Sequence, residues 1–209
     1  MRNCKDLNIN YQGGDLDISR EMLISLAGCP EYISGNFYCY DNELTSLVGG
    51  PQQVDGHYGC RNNNKLTALE GCASHIGGYF GCALNNLTSL VGGPQQVDGD
   101  YNCEYNNLTA LEGCANYIGG ALFCSNNPKI SSLVCIHKII KRCSSIYFDC
   151  DQIIQGGIGL LLIENLTNVS HENDSPFKII QSYLGTGTKG MMECSKELTA
   201  KGFEQYAKL

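Results

Sequence analysis

The chain of 209 residues has no tryptophan, and only 17% of its residues are charged, against about a quarter in an ordinary soluble domain. It has no surplus of positive charge: 14 Lys and Arg stand against 21 Asp and Glu, a formal net charge of −7. A polyanion partner needs a positive field, so nucleic-acid binding and docking on an anionic membrane are disfavoured. No apolar run approaches the ~20 residues of a membrane span. The opening Met1-Arg2-Asn3-Cys4-Lys5-Asp6 lacks the apolar stretch of a secretory signal. A soluble protein of the cytoplasm is expected. There is also no Cys-x-x-Cys pair among the 13 cysteines, so zinc has no local ligand pair. No metal and no cofactor are expected.

What the chain has instead is internal order. Cys39, Cys60, Cys82, Cys103 and Cys124 recur at intervals of 21, 22, 21 and 21 residues. A second set, Cys29, Cys72 and Cys114, follows a glycine each time. Free cysteine packs as a small apolar group and is among the most buried residue types. The spacing predicts a reduced, buried stack of thiols, which implies a reducing compartment.

Other columns keep the same period. Residues 23–43, 44–65, 66–86, 87–107 and 108–128 align, and residues 13–22 supply the end of an earlier repeat. Gly14, Gly35, Gly56, Gly78, Gly99 and Gly120 precede the Cys segment, where a tight bend favours a residue without Cβ. Leu16, Phe37, Tyr58, Phe80, Tyr101 and Leu122 follow two residues later, with Ile18 or a Cys two further on. That alternation predicts a short strand with one buried face. Asn42, Asn63, Asn85, Asn106 and Asn127 sit three residues past each Cys, where a buried amide can satisfy the backbone of neighbouring coils. Leu-x-x-Leu and a turning glycine complete the unit, as in Leu87, Leu90 and Gly92. A fixed period of this length marks a solenoid, in which each coil buries its apolar face against its neighbours.

The combined string [FY]-x-C-x-x-N-x-L-T-x-L resembles the leucine-rich repeat, whose core is L-x-L-x-x-N-x-L, over about residues 13–148. The resemblance implies a parallel β leucine-rich-repeat array. One column departs from the family: Ile33, Val54, Ile76, Val97 and Ile118 sit four residues before the aromatic rather than three. A 21-residue coil also leaves too few residues for an outer helix, so that side should be extended or 3₁₀.

The organisation expected is a cap and partial repeat over 1–22, the solenoid over 23–148, and an α-helical cap over 149–209. The last strand falls at 146–148, and helices are predicted over 156–166, 176–184 and 189–209. In the third, Met191, Cys194 and Leu198 share a face, and Glu197 and Lys201 form an i,i+4 pair. This tail resembles the helical endings of short leucine-rich-repeat proteins from tailed bacteriophages and bacteria, which implies a phage protein acting on a host protein, for example by inhibiting a defence factor.

Residues 44–56 and 87–99 are the same thirteen residues, so a two-coil unit has been duplicated. The copies differ mainly at outward strand positions: His57 against Asp100, Gly59 against Asn102, Arg61 against Glu104, Asn62 against Tyr105. The strand face is expected to present Tyr38, Tyr40, Asp41, His57, Arg61, Tyr79, Leu84, Asp100, Glu104, Tyr105 and Phe123. Aromatics with scattered charges are the composition of protein-binding surfaces. The function expected is a non-enzymatic module that binds a protein partner through this face. Two other classes stand beside it: a ligand-binding or catalytic protein with its site in the C-terminal helical segment, and a structural virion or assembly component. Signals for catalysis are weak. Gly185-x-Gly187-x-x-Gly190 follows a predicted helix rather than a strand, so it reads as a turn between helices. His57, His75, His137 and His171 share no spacing with a nucleophile or ligand pair and read as scattered surface histidines.

Overall fold

The computed structural model describes residues 2–149, 153, 155–170 and 175–209. The aromatic-x-Cys segments and their counterparts in the flanking coils form, among the described residues, one sheet of eight short parallel strands, in chain order from edge to edge. They are Leu16–Asp17, Phe37–Tyr38, Tyr58–Gly59, Phe80–Gly81, Tyr101–Asn102, Ala121–Phe123, Ser145–Tyr147 and Asn168–Val169. Register follows the repeat: Leu16 lies beside Phe37, Phe37 beside Tyr58, Tyr58 beside Phe80, and Phe80 beside Tyr101. Each strand pairs with the next turn of the chain, which makes the molecule a parallel β-solenoid. Eight rungs at ~4.8 Å give a sheet roughly 35 Å long. The outer side is extended, as the short period requires: Tyr32–Ile33, Gln53–Val54, His75–Ile76, Gln96–Val97 and Tyr117–Ile118 form a second parallel sheet.

The core lies between the two sheets. Ile33, Val54, Ile76, Val97 and Ile118 enter from one side, and the aromatic and Cys columns from the other, all buried. The rings stack edge to face, with centroids 4.9 Å apart for Phe37–Tyr58, 5.8 Å for Tyr58–Phe80 and 4.9 Å for Phe80–Tyr101. Burial pushes the Cys60 thiol up to about 12, so it packs as a neutral apolar group. The asparagines form the expected ladder. Asn106 Nδ2 donates to the carbonyls of Cys82 and Cys103, each at 3.0 Å, and its Oδ1 accepts from Leu87 N–H at 3.0 Å.

Two glycine columns have different causes. Gly49, Gly71, Gly92 and Gly113 turn the chain at φ between +85° and +89°. Gly35, Gly56 and Gly99 have no positive φ. An added Cβ at these three would come within 2.5, 2.7 and 2.9 Å of backbone carbon in the preceding coil. Close approach between coils, rather than strain in a bend, selects glycine there.

Four expectations are corrected. Cys4 and Cys29 form a disulfide, so the cysteines are not all reduced; Cys39, Cys60, Cys82, Cys103 and Cys124 are buried free thiols. The strand at 146–148 is not the last, because Asn168–Val169 pairs with Ser145–Tyr147. Residues 156–166 are not an α-helix. Gly156 and Gly157, at φ +79° and +122°, break the chain, and only a 3₁₀ turn over Ile158–Leu162 forms. A short helix α1 (Ile136–Ile139) sits on the outer side of the coil before it. Helices α2 (Pro176–Ser182, with Pro176 in its first turn) and α3 (Gly187–Ala200) then close that end. Phe177 of α2 packs edge-on to Phe148 at 4.8 Å, and Cys194 and Leu198 of α3 are buried. Glu197 does not form the expected pair with Lys201, which ends α3; its carboxylate accepts from the Tyr183 hydroxyl at 2.9 Å. Gly185 lies in the turn joining α2 to α3, and Gly187 opens α3. Among the described residues no helix is long and apolar enough to cross a membrane.

Candidate protein-binding face

The outward side of the eight-stranded sheet carries rows of side chains one rung apart. One row runs Tyr38, Gly59, Gly81, Asn102, Phe123. The two adjacent glycines leave a hollow of 230 Å³, bounded by Tyr38, Tyr40, Arg61 and Tyr79. The Tyr38 and Tyr40 rings meet edge to face at 6.0 Å. Tyr79 leans over Gly81, where an added Cβ would lie 2.8 Å from its hydroxyl. That leaning buries the Tyr79 phenol and pushes it up to about 12. The guanidinium carbons of Arg61 and Arg20 lie 5.1 and 5.7 Å from the centre of the Tyr40 ring, within cation–π range.

A neighbouring row is left-handed at six successive rungs. Arg20, Asp41, Asn62, Leu84, Tyr105 and Asn126 have φ of 62°, 55°, 55°, 57°, 53° and 59°. Asp and Asn tolerate this region; other side chains adopt it at a cost in energy. Leu84 and Tyr105 nonetheless occupy it on adjacent coils, with 46% and 53% of their surface exposed.

Several of the candidate residues fasten one coil to the next. His57 Nδ1 accepts from Tyr79 N–H at 2.8 Å, and Asp100 Oδ1 accepts from Ala121 N–H at 2.8 Å. Asn36 takes the equivalent bond from His57 N–H at 2.7 Å. The His57/Asp100 difference between the duplicated units thus exchanges one acceptor for another. Asp41 accepts from Asn62 Nδ2 and from Arg20 Nε at 3.0 Å; the Asn62 bond first, and the Arg20 contact after it, hold its carboxyl below the usual range. Glu104 is half-buried and accepts from Asn102 Nδ2 at 3.1 Å. Phe123 stacks on Tyr147 with centroids 4.9 Å apart and planes 6° off parallel. Tyr147 is a face residue that the repeat alone does not reveal, because its coil departs from the 21-residue register.

No family model, curated protein or solved structure matches the chain. The functional reading therefore rests on the face itself. Among the described residues no three His, Cys, Asp or Glu side chains gather as a metal site. Of the four histidines, His171 lies outside the described residues, and His75 Nε2 sits 3.0 Å from the Asp98 carboxylate on the outer sheet.

Proposed function

We propose that this chain is a non-enzymatic protein-binding module, and that its docking surface is the strand face spanning the tyrosine-walled hollow and the Leu84–Tyr105 pair. One observation carries the reading: two large apolar side chains stand exposed on left-handed backbone where three sister coils use Asp41, Asn62 and Asn126. Left-handed backbone costs an ordinary side chain about 1 kcal/mol. Exposed, these two recover little of that by burial. A contact made only in a complex would offset it. Tyr and Arg are also the residue types that dominate interface hot spots, and a hydrogen-bonded sheet presents them with little entropy left to lose. The resemblance to repeats of tailed phages and bacteria extends the proposal to a host protein as partner, bound and inhibited in the host cytoplasm.

Two double variants test it. Leu84→Asn with Tyr105→Asn should raise stability in urea by about 1 kcal/mol per site. The same variant should weaken binding to any partner captured by the wild type by about thirtyfold, the effect of losing one hot spot. Tyr40→Ala with Tyr105→Ala should abolish binding with the fold intact by circular dichroism. Undiminished affinity in both variants would remove the face as the site. A groove of 550 Å³ between α2 and α3, which Ile179, Lys201 and Phe203 help to line, would take its place if Lys201→Glu alone abolished binding.

A further inference from the structure

The hollow over Gly59 and Gly81 has a chemistry of its own, and its interpretation rests on the strand face being the docking surface. Neither glycine has a positive φ, so backbone conformation does not demand it. The rungs on either side of the pair carry Tyr38 and Asn102 in the same row. What two successive glycines achieve is room on the sheet: the Tyr79 ring lies over Gly81, and the Gly59 backbone forms the floor between the Tyr38 and Tyr79 rings. At 230 Å³ the space is smaller than the pockets that enclose whole small molecules. It suits one inserted side chain, and walls of ring edges and faces favour an aromatic one.

The charges around the hollow are arranged in a line. Arg61 lies in the row that continues to Ala83 and Glu104, as the hydrogen bonds Asp41 N–H to Arg61 O, Asn62 N–H to Ala83 O and Leu84 N–H to Glu104 O show. Arg61 and Glu104 are therefore two rungs apart, ~10 Å. Arg61 is exposed, and among the described residues no carboxylate lies within ion-pair distance of its guanidinium, whereas Arg20 is held by Asp41. A cation stacked on Tyr40 at the rim, with an acid two rungs along, is a surface complementary to the opposite order of charges.

We infer that the hollow is a side-chain pocket for a peptide segment of the partner, which inserts an aromatic ring beside Tyr79, between it and Tyr38 and Tyr40, sets a carboxylate on Arg61 and brings a basic group to Glu104. The spacing of ~10 Å corresponds to three residues of an extended segment or about seven of a helix.

The test is to pan a displayed library of random linear peptides on the wild-type chain and to measure the recovered peptides by fluorescence anisotropy. The expected consensus is an aromatic residue beside Asp or Glu, with Lys or Arg at one of those two spacings. Gly81→Ala, which forces Tyr79 across the hollow, and Arg61→Glu should each raise the dissociation constant at least about tenfold. A peptide with its acidic residue changed to Lys should regain affinity on Arg61→Glu. That charge exchange reads the pocket even if Gly81→Ala fails to fold. Peptides lacking the consensus, or indifferent to both substitutions, overturn the pocket. If those same peptides weaken on Leu84→Asn with Tyr105→Asn, the docking face survives without it; if they do not, both fall. A glycan-array signal that requires Tyr79, with no peptide recovered, also overturns the inference.

Discussion

At the scale of single residues, the asparagine column shows how one side chain can hold two coils. The Asn106 amide lies in the dry interior with both functions used: two donated bonds to carbonyls of successive coils and one accepted from a backbone N–H. Asn106→Ala orphans the buried Leu87 N–H and takes one of two amide donors from each carbonyl, since Cys82 O also accepts from Asn85 Nδ2 and Cys103 O from Asn127 Nδ2. An unsatisfied buried group costs about 1–3 kcal/mol, and the lost side chain leaves a cavity besides. We expect a loss of ~2–4 kcal/mol in a urea titration, against a change within about 0.5 kcal/mol for Thr109→Ala, an exposed position of the same turn. A loss below half a kcal/mol for Asn106→Ala would take the ladder out of the core. This role is legible in the sequence, because an amide repeated once per coil three residues after a buried thiol has few other uses. The left-handed row is only half legible. Asp41, Asn62 and Asn126 are residue types that favour such backbone, but Leu84 and Tyr105 give no hint of it until φ is known.

At the scale of the coil, glycine and tyrosine are chosen together. Coils with Gly50 and Gly93 at the return carry Tyr58 and Tyr101 in the aromatic column; coils with Cys29, Cys72 and Cys114 there carry Phe37, Phe80 and Leu122. An added Cβ at Gly93 would lie 3.4 Å from the Tyr101 hydroxyl and 2.9 Å from Leu69 Cδ1, and one at Gly50 would lie 3.5 Å from the Tyr58 hydroxyl. Both hydroxyls are buried without a hydrogen-bond partner. The phenol oxygen therefore fills the room that glycine leaves, and the alternation accounts for a unit of two coils rather than one. Gly93→Ala alone should cost about 1–3 kcal/mol by overpacking. Tyr101→Phe alone should be close to neutral, since it removes an unsatisfied polar group. The coupling to the phenol belongs to the longer side chain of the sister coils: in a double-mutant cycle of Gly93→Cys with Tyr101→Phe, the second change should recover at least ~0.5 kcal/mol of the loss caused by the first; strict additivity would separate the two positions. The duplication is plain in the sequence, but the partnership is not, because strand and return meet only across the folded core. Residues 156–166 mislead for a related reason. Their apolar run suits a helix, yet Gly156 and Gly157 bend it into the return of another coil, where Ile158, Leu160 and Leu161 are buried.

At the scale of the molecule, the two ends of the array are finished by different means. Helices α2 and α3 cover the last coil through Phe177, Ile180, Cys194 and Leu198. At the other end, Arg2–Asn3 pairs with Leu23–Ser25, and the Cys4–Cys29 disulfide ties this segment to the first coil. The repeat conceals that bond. Cys29 shares its column with Cys72 and Cys114, which are buried free thiols, while Cys4 lies outside the period altogether. The bond closes a loop with a sequence separation of 25 residues, for which chain entropy gives about 3–4 kcal/mol of stabilisation. Cys4→Ser should lower the denaturation midpoint accordingly. Dithiothreitol should bring the wild type down to the same midpoint and leave the variant unmoved, because the thiols of the Cys39 to Cys124 stack have no disulfide to lose. Alkylation in denaturant before and after reduction, read by mass, should add labels on Cys4 and Cys29 only after reduction. A midpoint indifferent to dithiothreitol would return Cys4 and Cys29 to the thiol state and restore a wholly reduced solenoid. A drop in midpoint would instead tie the full stability of the first coil to a compartment oxidising enough to keep that bond closed.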